Sequence, residues 1–352
     1  MFRGDPAHTG FYASAPVRSL RTVLWAFQTN DRVESSPVVA GGTVYFGSND
    51  DHLYAVDALT GALRWRFRTG DDVRSSPALL GETVYVGSQD DYLYALDART
   101  GSLKWRFRTG ADINSSPVVA LGVVYFGSDD KHLYALDATT GVERWRLRVP
   151  EETVASPAVA GGLVYVGDTD GNFFAVDALT GRVRWRFKAG GSIVASATVA
   201  EGIAYIGDQK GNLYALDATT GHHRGLFRAD DDLRASPAFA GGILYVASND
   251  DHLYAIDVRM GRILWRFRAQ DDIRSSPAVA GGMVFVGSED DHVYALDAVT
   301  GALRWRFRTG KDIHSSPAVA NGVVYIGSQD GRLYALAGEH SPASLARMPG
   351  WR

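Results

Sequence analysis

Apolar and polar residues alternate along the chain in a pattern that repeats every 40 residues. The triplet Ser-Ser-Pro, or a close variant of it, begins at positions 35, 75, 115, 155, 195, 235, 275 and 315, and no residue is inserted or lost between copies. A strict repeat of this length predicts a propeller or a solenoid rather than two unrelated domains in tandem.

Each repeat contains four short segments of strand character separated by turn residues. In the copy 31–70, the predicted strands are 35–40, 43–47, 52–58 and 62–69. The first three are apolar on both faces, as expected for strands covered on both sides, and the fourth alternates apolar residues with arginines, as expected at an outer edge. Because no segment of useful length has apolar residues at helical spacing, helical solenoids are excluded. Four strands per 40 residues predict one blade of a β-propeller.

The N-terminal part of the chain carries a fourth strand that no blade precedes. Residues 23–27 align one period before residues 63–67, whereas the last repeat has three strands and lacks a fourth. Closing the ring with the N-terminal strand completes an eighth blade and removes an open sheet edge. We therefore predict an all-β, eight-bladed β-propeller of four-stranded antiparallel blades. Its lead-in covers residues 1–21, the propeller residues 22–337 and a C-terminal tail residues 338–352.

A turn motif of the form Ala-x-Asp-x-x-Thr-Gly-x-x-x-Trp joins the third and fourth predicted strands. In the copy 55–65, the Asp57 carboxylate can accept backbone N–H groups across the turn, and Gly61 can take the positive φ that closes it. The tryptophan supplies a flat face that docks on the neighbouring blade. The predicted docking residues are Asp57, Gly61, Trp25, Trp65, Trp105, Trp145, Trp185, Trp265 and Trp305.

This motif resembles the tryptophan-docking motif of the bacterial quinoprotein-like (PQQ-repeat) β-propellers, over residues 22–337. Gly225 stands in place of the tryptophan in one copy, Met260 in place of the threonine in another, and Ala337 in place of the aspartate in the last. We interpret the Gly225 gap as drift, because no other unusual cluster converges on it in the sequence.

The resemblance implies two kinds of function. Similar non-catalytic propellers serve as the outer-membrane protein assembly lipoprotein and as sensor domains attached to bacterial Ser/Thr kinases. The PQQ-dependent dehydrogenases hold quinone and calcium on the propeller axis. Those enzymes are much longer, and insertions between their blades supply calcium ligands, a catalytic aspartate and an adjacent-cysteine disulfide. This chain has no insertion between repeats and no cysteine.

The position just before each first strand is predicted to ring the mouth of the central channel. Blades 4 and 5 have Val154 and Val194 there. Three arginines and a histidine beside an apolar wall suit a planar ligand that carries carboxylates, although drift at a tolerant position gives the same pattern. The candidate ligand-binding residues are Glu34, Arg74, Asn114, Arg234, Arg274 and His314.

Acidic residues recur in the loops expected on the same face as the channel mouth. One set is aspartate at 50, 90, 130, 170, 250, 290 and 330, and a second is acidic at 72, 112, 152, 232, 272 and 312. These residues either form an acidic crown that attracts a basic partner or serve only as good turn formers. Histidines at 52, 132, 252 and 292 lie on different blades, so they cannot converge on one ion, and we predict no metal site.

Charge and composition narrow the class of partner. The chain has 36 Lys and Arg against 40 Asp and Glu, and no aromatic platform lies beside the fourth-strand arginines, so we predict no nucleic-acid partner. The absence of cysteine excludes disulfides and thiolate chemistry. Residues 1–20 contain no signal-peptide core and no segment is long enough to span a membrane, so we predict no direct membrane insertion. The compartment stays open, as does the question of whether Met1 is an internal methionine.

No catalytic motif is present, and the repeats are nearly identical. The segment GALRWRFRTG occurs unchanged at 61–70 and 301–310, whereas an active site needs several different side chains at one point. We therefore predict a non-catalytic, monomeric scaffold that binds a protein partner, basic in character if the acidic loops bind it, and that needs no cofactor. The alternative is a sensor that binds PQQ or a similar anionic small molecule at the channel mouth. A dehydrogenase that uses PQQ with calcium is the least favoured interpretation.

Overall fold

The computed structural model describes residues 3–338, and these residues form strands and turns without a helix. The predicted C-terminal tail lies outside the described residues except for Gly338. None of the described segments has the helical length and hydrophobicity needed to traverse a bilayer.

The strands follow the 40-residue repeat. The lead-in contains β1 (Phe11–Tyr12), and β2 (Leu20–Gln28) follows it. Blades 1 to 4 comprise β3 (Val38–Ala40), β4 (Thr43–Ser48), β5 (His52–Asp57), β6 (Leu63–Arg68); β7 (Ala78–Leu80), β8 (Thr83–Gly87), β9 (Tyr92–Asp97), β10 (Leu103–Arg108); β11 (Val118–Ala120), β12 (Val123–Ser128), β13 (His132–Asp137), β14 (Glu143–Arg148); and β15 (Ala158–Ala160), β16 (Leu163–Gly167), β17 (Asn172–Asp177), β18 (Val183–Lys188). Blades 5 to 8 comprise β19 (Thr198–Ala200), β20 (Ile203–Gly207), β21 (Asn212–Asp217), β22 (His223–Arg228); β23 (Ala238–Ala240), β24 (Ile243–Ala247), β25 (His252–Asp257), β26 (Arg262–Arg268); β27 (Ala278–Ala280), β28 (Met283–Gly287), β29 (His292–Asp297), β30 (Leu303–Arg308); and β31 (Ala318–Ala320), β32 (Val323–Ser328), β33 (Arg332–Gly338) with β2.

Eight antiparallel sheets of four blade strands each confirm the predicted propeller. The eighth has the order β2-β33-β32-β31, with Trp25 opposite Ala335 and Phe27 opposite Leu333, so the N-terminal strand closes the ring as predicted. We call the face that carries loops such as 29–34 and 48–51 the mouth face. The opposite face, which carries turns such as 57–61, is the turn face.

The first strand of each blade is shorter than predicted. In blade 1 it covers Val38–Ala40 instead of residues 35–40. Pro37 has no N–H to give to a ladder, and the Ser36 N–H donates to a serine side chain of the next blade rather than to a strand. Residues 35–37 therefore connect blades around the channel instead of extending the sheet.

Apolar side chains pack between neighbouring blades, and these side chains form one hydrophobic cluster at each interface. Phe46 and Leu53 are fully buried, and Tyr45 packs against Trp65 with ring centroids 5.8 Å apart. Blades approach closely at Gly47, where an added Cβ would lie 2.2 Å from the Val73 carbonyl oxygen. Glycine permits this approach in blade 1, whereas the equivalent position of blade 6 carries the buried Ala247.

The lead-in enters the central channel, which its sequence gives no reason to predict. Its backbone carbonyls accept hydrogen bonds from the N–H groups of four consecutive inner strands, and β1 adds to β27 as a parallel fifth strand. The four bonds run from Val159 to Pro6, from Val199 to Ala7, from Phe239 to Thr9 and from Val279 to Gly10, at 2.7–2.9 Å. Since inner strands run from the mouth face towards the turn face, the lead-in fills the half of the channel nearer the turn face.

Two buried basic side chains anchor this lead-in. The Arg3 guanidinium donates to the Pro237 carbonyl, and burial lowers the arginine pKa to about 10. His8 is fully buried, and burial followed by the nearby Arg3 charge lowers its pKa to about 3. The chain then leaves the channel beside Gly281, and the Val17 carbonyl accepts the indole N–H of Trp305 at 2.7 Å.

Candidate functional site

A closed ring of eight hydrogen bonds surrounds the channel just below its mouth. The second position of each Ser-Ser-Pro triplet donates its backbone N–H to the hydroxyl of the equivalent serine in the next blade, at 2.9–3.1 Å. The last bond, from Ser316 to Ser36, completes the circle. Because every blade contributes the same bond, the ring fixes the radius at which the predicted mouth residues emerge two positions earlier.

Four of the six predicted mouth residues meet in one charged network across blades 7, 8, 1 and 2. The Arg274 Nε lies 2.9 Å from Glu289, which also accepts from His314 Nε2 at 2.7 Å. His314 Nδ1 lies 4.0 Å from Glu34, and Glu34 lies 3.6 Å from the Arg74 Nε. The sequence did not reveal Glu289 as the centre of this network.

The other two predicted residues lie outside that network. Asn114 donates to Asp129 at 2.9 Å and accepts from Gln89 at 3.0 Å, while Arg234 pairs with Asp232 at 3.2 Å. The structure therefore does not bring all six residues to one point.

A position one or two residues after each second strand supplies the partners that sequence reasoning missed. In blades 1 to 8 it carries Asn49, Gln89, Asp129, Thr169, Gln209, Asn249, Glu289 and Gln329. Because this position varies inside an otherwise constant repeat, its variation could have identified these partners from the sequence. At Gln89, Asp129, Glu289 and Gln329 the side chain hydrogen-bonds the mouth residue of its own blade or of the next one.

The charged network affects whether an anionic cofactor could bind at the mouth. Arg74 and Arg274 each lie near two carboxylates, Glu34 and Asp72 for the first, and Glu289 and Asp272 for the second. A quinone that carries carboxylates would have to displace these groups before it could bind the arginines.

A calcium ion fits this network no better. Among the described residues, Glu289, Asp312 and His314 have ligand atoms within 4.8 Å of one another, but the Arg274 guanidinium already neutralises Glu289. The residues present thus fit PQQ with calcium poorly. The ligand-binding interpretation of the mouth residues stays a prediction.

Most aspartates of the first acidic set are structural. The Asp50 side chain is 5% exposed, accepts from the Tyr54 hydroxyl at 2.8 Å and accepts from the Asn30 N–H in the preceding inter-blade loop at 2.9 Å. Equivalent bonds form at Asp90, Asp130, Asp250, Asp290 and Asp330. The turn-forming interpretation therefore describes these residues better than an acidic crown does. The turn-forming interpretation also describes His52, because its Nδ1 contacts the Asp50 carbonyl at 2.6 Å.

A different group of carboxylates is exposed on the mouth face. Asp31, Asp71, Asp231 and Asp271 are exposed, and the carboxylate of each accepts only the N–H of the next residue among the described hydrogen bonds. Carboxylates behind them have raised pKa values, first because of burial and then because of neighbouring acids. This holds for Asp72, Asp112 and Asp272. None of the ion pairs among the described residues involves Asp31, Asp71, Asp231 or Asp271, so these four carboxylates leave negative charge on the mouth face.

The half-buried Asp129 on this face also has acidic neighbours. Burial raises its pKa to about 6, and the nearby Glu152, Asp112 and Asp130 charges add to the shift. The hydrogen bond from Asn114 opposes it. The folded protein thus holds a proton at Asp129 in mildly acidic solution that the unfolded chain releases.

We expect Asp129→Asn to raise the free energy of unfolding at pH 7 by about 1 kcal/mol. This value is smaller than the full free energy of the pKa shift, because solvent screens the charge of this half-exposed group. The gain should shrink as the pH falls from 6 to 4, because Asp129 is then protonated in the folded state and costs nothing. Asn49 and Asn249 already occupy the equivalent position in two other blades. Thermal unfolding at pH 4 and pH 7, with the exposed Asp31→Asn as control, checks this. An equal gain at both pH values would contradict it.

The predicted docking tryptophans lie on the turn-face side of the blade interfaces. The Trp65 indole donates its N–H to the Ala98 carbonyl of the next blade at 3.0 Å. Its ring covers Gly101, where an added Cβ would lie 2.7 Å from the ring. In the turn itself, Asp57 pairs with Arg64 at 2.7 Å and accepts from the Thr60 N–H, and these bonds, the one from Arg64 first, lower the Asp57 pKa to about 2.

The fold and its mouth define a closed eight-bladed β-propeller of the quinoprotein-like class, with short loops and no inserted domain among residues 3–338. The chain belongs to the PQQ-repeat propeller family described as outer membrane protein assembly factor BamB, whose model matches residues 18–121, 109–226 and 226–341. None of the curated protein sequences matches the chain.

Solved structures share the fold at low sequence identity. The chain is similar to BamB from Moraxella catarrhalis, with 20% identity, a TM-score of 0.76, and coverage of 90% of this chain and 99% of that one. It is similar to the quinohemoprotein alcohol dehydrogenase from Comamonas testosteroni, with 18% identity, a TM-score of 0.81, and coverage of 97% and 81%. The computationally designed protein Ika8 has 17% identity and a TM-score of 0.82, with coverage of 90% and 100%. The fold thus occurs in enzymes and in proteins that are not named as enzymes.

Proposed function

We propose that this protein is a non-catalytic scaffold that binds a basic protein segment on its mouth face. The observation that carries the proposal is the negative charge of Asp71, Asp231 and Asp271, which are exposed on this face and form no ion pair among the described residues. A cationic surface placed against this face would relieve the repulsion among these groups.

The mouth network supports a binding rather than a catalytic role. Its arginines are held by carboxylates, and the serine ring below presents the same hydrogen bond eight times. A reaction site needs groups with different roles that converge on one reacting atom. The chain also carries no insertion between blades that would build such a site. The proposal therefore includes no cofactor and no metal.

A lysine- and arginine-rich peptide serves as the probe of this surface. We expect Asp71→Asn, Asp231→Asn and Asp271→Asn together to weaken its binding about tenfold at low salt, since each exposed pair contributes up to about 1 kcal/mol. Each of these asparagines can still accept the N–H bond that the aspartate accepts. The affinity should also fall as salt is added.

The matched control removes three acids elsewhere. Glu82, Glu143 and Glu201 are exposed, begin strands or lie in turns on the turn face, and their change to glutamine alters the net charge by the same amount. This control should change peptide affinity less than twofold. Equal effects of the two triple variants, or an affinity that does not depend on salt, would refute the mouth face as the binding surface.

A further inference from the structure

One blade interface lacks the docking tryptophan that the others have. At the interface between blades 5 and 6, Gly225 of β22 stands where the tryptophan would be, and the turn glycine that it would cover is Gly261. An added Cβ would meet no atom within 4 Å at either glycine. The space that an indole ring fills at the equivalent interfaces is therefore open here.

The open space is a cavity of about 360 Å³. Its walls are formed mostly by apolar residues, which include Ile203, Leu213, Phe227, Leu244 and Ile256, and Arg224 and Arg259 also contribute to the lining. This volume is at the lower end of the range for small-molecule pockets, which suits a single bicyclic ring system.

The cavity also retains the backbone carbonyl to which the missing indole would donate its N–H. At the equivalent interfaces one carbonyl accepts two donors, as Ala98 does from the Trp65 indole at 3.0 Å and from the Tyr45 hydroxyl at 2.9 Å. The equivalent carbonyl here belongs to Val258. Among the described residues, neither an indole nor the Tyr205 hydroxyl donates to it. A ligand with an N–H donor at the right edge would satisfy this carbonyl.

Departures from the repeat converge on this cavity, which the interpretation as drift does not explain. Met260 replaces threonine, Val258 replaces alanine, and Leu226 replaces the arginine found at the equivalent position of other blades. All three line the same cavity as Gly225. Met260 and Leu226 are 65% and 56% exposed, so they give the entrance an apolar rim. Residues that looked unrelated in the sequence thus form one surface.

We propose that the cavity at Gly225 is a binding site for an indole ring. The ring lies over Gly261, its N–H donates to the Val258 carbonyl, and Met260 and Leu226 cover its outer edge. A free indole compound carries this chemistry, and so does Trp351, which is outside the described residues.

The test measures the melting temperature and the dissociation constant with indole and with 1-methylindole, which lacks the N–H donor. We expect indole to raise the melting temperature of the full chain and to bind about five- to tenfold more tightly than 1-methylindole, as one hydrogen bond allows. Gly225→Trp should raise the melting temperature by itself and abolish the response to indole. Gly225→Phe, which fills the space without an N–H group, serves as a second blocking variant if the first does not fold.

The control variant Val142→Trp adds a tryptophan at an exposed position away from the cavity and should keep the indole response. Trp351→Ala separates the two sources of the ring. If only this variant responds to indole, the chain's own Trp351 fills the site, which supports an indole site. The proposal is overturned if neither the full chain nor Trp351→Ala responds, or if the response persists when Gly225 is replaced. Equal binding of indole and 1-methylindole would overturn the hydrogen bond to Val258.

Discussion

Deletion of residues 1–28 is expected to yield an insoluble or oligomeric protein. The deletion removes Trp25 and Phe27, whose side chains pack into the interface between blades 8 and 1, together with the buried Leu24. Truncating a buried large side chain costs roughly 2–5 kcal/mol, so the combined loss approaches the whole stability of a typical domain, about 5–15 kcal/mol. It also leaves β33 with an unpaired edge that can pair with another chain.

The matched control for this experiment deletes residues 2–13 only. That variant loses the lead-in from the channel but keeps β2, Val17 and the contact between Pro16 and Gly281. We expect it to remain a soluble monomer with a lower melting temperature. Size-exclusion chromatography and thermal unfolding compare the two deletions. A monomer of unchanged stability after removal of residues 1–28 would show that β2 does not hold the ring closed.

The sequence was sufficient to predict this closure because the relevant information is periodic. Trp25 and Phe27 lie one 40-residue period before Trp65 and Phe67, and this spacing places both pairs in an outer strand. The same periodicity predicted which positions lie at the channel mouth. The 40-residue period describes every blade alike, so it predicts the features that all blades share.

Features that break the symmetry of the ring were harder to predict. The lead-in binds the inner strands through backbone carbonyls such as those of Ala7 and Thr9, which any sequence supplies, so no pattern marks it. At the mouth, Glu289 meets His314 from the neighbouring blade, a contact that depends on side-chain length rather than on the repeat. At the Gly225 cavity, Met260 and Val258 are 35 and 33 positions away along the chain, and only the packing of blade 6 on blade 5 brings them together.

Mild acid is expected to loosen the lead-in through His8. In the unfolded chain the His8 pKa has its ordinary value of about 6.5, but burial lowers it to about 3 in the folded protein. Between these values the unfolded or released lead-in binds a proton that the docked lead-in does not. The stabilisation is therefore complete above pH 6.5 and is lost as the pH falls towards 3, by about 2 kcal/mol at pH 5.

Amide hydrogen exchange of the peptide that covers residues 3–12, measured at pH 5 and pH 7 and corrected for the intrinsic rate, reports this release. The wild type should lose protection at pH 5, whereas His8→Asn should show protection that does not change with pH, because asparagine tolerates the positive φ of 55° at this position and does not titrate. The exposed His222→Asn serves as control and should behave like the wild type.

The carboxylates of the turn motif do not interfere, since the Arg64-paired Asp57 has a pKa of about 2 and stays ionised at pH 5. Asp129 has the opposite pH dependence, and it is the same in all three proteins, so it cancels in the comparison. Loss of protection at pH 5 in His8→Asn equal to that in the wild type would show that another group controls the docking of the lead-in.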